Sequence, residues 1–202
     1  MHLDLAPFIL ISVLVIVIPG PDTAMVTKHA FLAGRRGALF ASFGVTIGLA
    51  TWTVAAAVGL AALLRASSVA FFALKLAGAA YLVWIGIQML RARNAARPHT
   101  DTRTSGKALR QGILSNLGNP KIAVFFTSFL PQFVHGGGNA FASLLVLGTL
   151  FCVITLAWLT VYSFVIGHGA SVLRRPRVRR ALDRFTGAVF VALGIRLAFE
   201  HR

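Results

Sequence analysis

The chain has 202 residues, 57% of them hydrophobic and only 12% charged, with a mean hydropathy of +0.79. The apolar residues come in long runs instead of stripes, which excludes an ordinary soluble domain and indicates a multi-span membrane protein. The net charge of +15 lies between those runs, so no charged, polar domain remains to dock a nucleic acid.

Six runs approach the roughly 20 residues that a helix needs to cross the hydrocarbon. The first, Leu5–Val26, follows "MHLDLAP", which has no basic n-region; no small-residue cleavage site follows it, so it is expected to stay as a span. It is interrupted at Pro19, Gly20, Pro21 and Asp22. Proline removes a helical hydrogen bond and clashes with the preceding turn. One half-helix should therefore end near Ile18 and another begin near Pro21, with Gly20 supplying unusual backbone angles. Freed backbone groups in lipid survive only against protein or a wet cavity. Asp22 falls in the first turn of the new half-helix, where a carboxylate complements the positive helix end. After this span come Lys28, Arg35 and Arg36. His29 at that edge reads as a satisfied interfacial histidine.

The second run, Leu39–Leu64, carries Gly44 and Gly48 as a GxxxG pair suited to close helix packing. The third, Val69–Leu90, opens near Lys75, read as a snorkelling lysine. The stretch "RNAARPHTDTRTSGK" after it has linker composition. The fourth run, Ile113–Val134, is broken in turn. Gly118 and Asn119 end a short segment, Pro120 starts the next and Lys121 follows. A lysine at a helix N-terminus is electrostatically misplaced, and an Asp or Lys at mid-bilayer costs roughly 2.5–3.5 kcal/mol. Phe125, Phe126, Phe129 and Phe133 crowd this run and are expected to pack against neighbours. The fifth run, Phe141–Ile166, contains the single cysteine, Cys152, which allows no internal disulfide and no thiol metal site. The sixth, Phe185–Phe199, is short.

Lys and Arg cluster after spans 1, 3 and 5, the last loop holding Arg174, Arg175, Arg177, Arg179, Arg180 and Arg184. The positive-inside rule then places both termini in the periplasm. The expected fold is an all-α polytopic membrane protein, a single transporter domain over residues 1–202. Residues 1–92 form a first three-helix repeat, 93–108 a cytoplasmic linker and 109–202 a second repeat. Three spans per half make the repeats inverted, the plan of many transporters. "GAAYLVWIGI" from Gly78 and "GAVFVALGI" from Gly187 give this modest support.

Two breaks and two opposite charges at matching positions suggest a site for a small ion carrying both charges. Asp22 is then expected to face an α-ammonium. The N–H groups after Pro120, with Lys121, are expected to face a carboxylate. Asn116 and Asn119 orient either group; Thr23, Thr46 and Ser115 are weaker candidates. An Asp22 that holds substrate when ionised and releases it when protonated would couple export to protons. Structural readings stand beside these: Asp22 as a helix cap, Lys121 snorkelling, or the two paired with each other.

"PGPD" in span 1, "GRRGALFASFGVTIG" from Gly34, "KLAGAAYLVWIG" from Lys75 and "NLGNPKIAVFFTSFLPQFV" from Asn116 resemble the LysE/RhtB family, in order and over nearly the whole chain. These are bacterial inner-membrane exporters of amino acids such as lysine, arginine, homoserine, homoserine lactone and threonine. The resemblance implies amino-acid efflux driven by the proton gradient, with an amino acid, protons and the lipid bilayer as partners. It implies no enzyme activity and no cofactor or metal, and a homo-oligomer is compatible with it. The nearest rival is an exporter of an inorganic ion or other small metabolite on the same architecture. A membrane enzyme would need a nucleophile–base or zinc set, which is not seen at membrane depth. A passive scaffold would not need the Pro21 and Pro120 regions to touch, whereas transport does.

Overall fold

The computed structural model describes residues 5–66, 105–134 and 139–173, with scattered helical positions between 72 and 90 and between 184 and 199. Residues 93–104 of the linker, Lys75 and the basic stretch over 174–183 lie outside the described residues, as do most positions of spans 3 and 6. The described residues are almost entirely helical and contain no strand. Helix α1 is Leu5–Val17, α2 is Pro21–Ala66, α3 is Ser105–Leu117 and α4 is Pro120–Val124. A π-helix over Phe125–Phe129 and a 3-10 turn over Leu130–Phe133 follow, and α5 is Ala140–Leu173. Helix α3 starts at Ser105, inside the stretch read as linker.

Helix α2 is two helices in one. Ala33 (φ −136°, ψ 21°) and Gly34 (φ 61°, ψ −158°) leave helical geometry, and Gly34 takes a positive φ that side chains disfavour. Contacts with α3 show that the chain reverses there. Before the turn, Asp22 meets Asn116 and His29 meets Gln111, so the two segments run antiparallel. After it, Gly44 lies against Leu109 and Gly48 against Asn116, so they run parallel. The expected loop near Arg35 is therefore a tight helical corner.

The other directions follow in the same way. Phe8 packs on Phe133, and Lys121 reaches Val15, so α1 runs against the segment after Pro120. Ser42 meets Ser163 and Thr53 meets Cys152, so α5 runs against the second arm of α2.

Apolar burial gives little association energy between helices in lipid, so close backbone approach must supply it. A Cβ at Gly44 would overlap the Leu109 carbonyl, and one at Gly112 would overlap that of Ala41. A Cβ at Gly48 would stand 2.8 Å from the Asn116 side chain. This seam presses Asn116 toward the first break. Phe125, Phe126 and Phe151 form the buried aromatic core with Phe8, the Phe125 and Phe151 ring centres 4.4 Å apart. Outward faces carry exposed Leu10, Phe43, Val58, Val153 and Val165, apolar surface that suits lipid and not water.

The helix after Pro120 departs from the expected regular span. It is α-helical for only 5 residues before widening to π and tightening to 3-10. Pro131 explains part of this, because it brings no N–H for the carbonyl one turn back. The Leu130 N–H instead reaches the Phe125 carbonyl, and the Gln132 side chain donates to the Ser128 carbonyl at 2.8 Å.

Candidate functional site

The first break lies where the sequence puts it: α1 ends at Val17 and α2 begins at Pro21. Pro21 occupies the first position of the new helix, where its missing N–H is harmless. Asp22 is next, with only 9% of its surface exposed. Its carboxylate accepts hydrogen bonds from Asn116 Nδ2 at 2.8 Å, Asn119 Nδ2 at 2.9 Å and Ser115 Oγ at 3.1 Å. All three donors belong to the other half of the chain, at the end of α3 and the break that follows it.

At the second break, Gly118 and Asn119 separate α3 from α4. Asn119 is extended (φ −81°, ψ 108°), and its Oδ1 accepts from the Lys121 N–H at 3.0 Å, an N-cap. One backbone donor expected to face a substrate carboxylate is therefore already used. Lys121 is buried, and its ammonium does not snorkel to the interface. It crosses to the first half and donates to the carbonyls of Val15 at 3.0 Å and Ile18 at 3.1 Å. Those carbonyls are among the groups that the Pro19–Pro21 break leaves without helical partners. The lysine that seems misplaced at its own helix N-terminus is well placed at the C-terminus of α1.

Gly20 has a different role from the one its type suggests. Its φ is not positive; Gly34 is the positive-φ glycine among the described residues. What Gly20 provides is room, since a Cβ there would stand 3.0 Å from Lys121 Nζ. Pro19 shares the non-helical link but makes none of these contacts.

The two breaks thus interlock. The residue after the proline in each half reaches the broken helix end of the other, so the Pro21 and Pro120 regions touch. Between them lies a cavity of about 20 Å³ whose polar members are Asp22, Thr23, Lys121 and Thr155, with Leu49 and Phe151 among its apolar walls. That is room for about one water molecule, far less than an amino acid needs. Thr46 bonds back to the Ser42 carbonyl at 3.0 Å and is not among the lining residues. Thr155 escaped the sequence reading, because one threonine in an apolar run carries no signal of its own.

A second polar cluster sits nearer the Gly34 corner. His29 is buried within α2, not in a loop, and its Nε2 lies 2.9 Å from Gln111 Oε1, which also accepts from Lys28 at 3.2 Å. Thr27 and Tyr162 share a hydrogen bond of 2.8 Å, tying α2 to α5.

An apolar helical bundle with two interlocked helix breaks and two opposite charges buried beside one cavity defines a membrane protein of the translocator kind. The chain belongs to the LysE type translocator family, which matches residues 13–201. It is 34% identical to the homoserine/homoserine lactone efflux protein of Salmonella typhimurium over 193 residues, covering 95% of this chain and 94% of that one. It is 31% identical to the threonine efflux protein of Escherichia coli (strain K12), covering 93% and 94%. An uncharacterized membrane protein of Bacillus subtilis is 28% identical over 97% of this chain and 98% of its own. No solved structure matches.

Proposed function

We propose that this protein exports amino acids from the cytoplasm across the bacterial inner membrane, coupled to the proton gradient. In this reading it has six spans in two inverted three-helix repeats, with both termini periplasmic. The observation that carries it is the pair of buried opposite charges, Asp22 and Lys121, on one cavity where the two breaks meet. A free amino acid is a zwitterion, so it complements such a pair without leaving net charge in a low-dielectric site. The efflux names of the relatives agree with this chemistry.

When the helices part, the α-ammonium of the substrate displaces Asn116 and Asn119 from Asp22. Its carboxylate meets the Lys121 ammonium. Asn116 and Asn119 then reorient toward the substrate, since each amide both donates and accepts. Protonation of Asp22 removes the charge that holds the ammonium and releases the substrate, which links the two fluxes. The closed geometry, with Asp22 satisfied by neutral donors, keeps the carboxylate from remaining bare when no substrate is bound.

The test is export from cells preloaded with mixed amino-acid dipeptides, with each released amino acid measured outside. Wild type should release one amino-acid class faster than a vector control. Asp22→Asn should abolish that release at normal membrane abundance. Release equal to the vector across the whole set would overturn amino-acid export and favour an inorganic ion or another small metabolite.

A further inference from the structure

Five threonines in the described helices share one hydrogen-bond pattern. Thr27, Thr46, Thr51, Thr53 and Thr127 each donate the hydroxyl to the carbonyl four residues back, at 2.7 to 3.0 Å. This bond is the usual way to satisfy a helical hydroxyl where water is absent. Thr155 forms no such bond. It is only 7% exposed, and its Oγ1 is buried with no hydrogen-bond partner.

An unsatisfied buried hydroxyl costs free energy, and a valine of the same shape would avoid that cost. Four other buried polar atoms lack partners among the described residues: Ser12 Oγ, Trp52 Nε1, Asn116 Oδ1 and Trp158 Nε1. None of those residues lines the cavity between the two breaks, whereas Thr155 does, together with Asp22, Lys121 and Thr23. Thr155 comes from α5, an element that supplies neither the ammonium partner nor the carboxylate partner of the proposed substrate. Phe151, one turn earlier on the same helix, gives the cavity an apolar wall. With both charged ends of an amino acid assigned to the breaks, α5 is left to face the side chain.

We propose that Thr155 is the specificity-determining residue for the substrate side chain: its free hydroxyl hydrogen-bonds a hydroxyl on a short side chain. This rests on the amino-acid export reading and adds the group that selects among amino acids. A hydroxyl is water-sized, matching the room of about 20 Å³ beside Thr155. A site that hydrogen-bonds a substrate hydroxyl rejects the analogue lacking it, because the protein group is then left unpaired.

The experiment compares homoserine and threonine with 2-aminobutyrate, the deoxy analogue of both, as substrates of purified protein in vesicles and as ligands that raise its unfolding midpoint. Wild type should favour the hydroxylated pair. Thr155→Val should lower that preference by roughly three- to ten-fold, the worth of one net hydrogen bond, while transport of 2-aminobutyrate persists. Thr155→Ser should keep the preference. Thr155→Ala removes the hydroxyl without adding bulk and decides the matter if the valine variant fails to assemble. An unchanged preference in the valine or alanine variant, with transport intact, would overturn the role of Thr155 alone and leave its hydroxyl to a structural water. Failure of wild type to carry or bind any amino acid would overturn the export reading and this one together.

Discussion

At the first break a carboxylate, Asp22, is held by side chains: two amides and a hydroxyl from the far half. At the second, an ammonium, Lys121, is held by main chain: the Val15 and Ile18 carbonyls at the end of α1. Side-chain donors can swing away and return without disturbing a helix. Backbone carbonyls move only if the helix end moves with them. Partner exchange at Asp22 thus needs only side-chain rotation, whereas at Lys121 it requires the end of α1 to shift. Both breaks share a proline followed by a charged residue, yet the two charges are held in different ways.

The rigid end is the more sensitive of the two. Lys121→Met leaves two buried carbonyls without donors and Asp22 without a nearby cation. We expect a stability loss of about 3–5 kcal/mol, the range for a buried charge stripped of its partner, read as the unfolding midpoint in detergent, together with loss of export. Gly20→Ala probes the same end more gently. Its methyl would stand 3.0 Å from Nζ, and the displaced lysine should cost about 1–3 kcal/mol, as overpacking does. If crowding of the ammonium is the cause, Gly20→Ala should cost little further in a Lys121→Met background, where no Nζ stands beside the added methyl.

Asn119→Ala acts on both ends at once, removing the cap of α4 and one donor to Asp22. It should cost about 1–2 kcal/mol, the usual worth of an N-cap, and slow export without abolishing it. If it proved as damaging as Lys121→Met, the flexible end would be as rigid as the other, and the contrast would fail.

The positions of both breaks were legible because proline and glycine state their backbone consequences locally. The partners of Asp22 and Lys121 were legible only in part. Asn116 and Asn119 stand beside a break and were candidates on that ground. The carbonyls of Val15 and Ile18 are invisible to a reading of side chains, so Lys121 looked misplaced until the crossing of the two halves was known. Gly20 was read for its freedom of angle, yet its use is the volume of an absent methyl, which depends on a residue a hundred positions away. The π and 3-10 stretch before Val134 was hidden because Pro131 alone does not say which carbonyls change partner. Thr155 was hidden because its distinction is a bond it does not make.

In the proposed export cycle, Asp22 exchanges protein donors for the ammonium of a substrate. Its most direct test is Asp22→Asn in reconstituted vesicles, with unfolding and exchange of the best wild-type substrate measured on one preparation. An asparagine oxygen still accepts from Asn116 or Asn119 while Lys121 loses its nearby anion, so a folded protein with a lowered unfolding midpoint is expected, with no exchange above protein-free vesicles. Exchange at the wild-type rate would contradict it and reduce Asp22 to a helix cap.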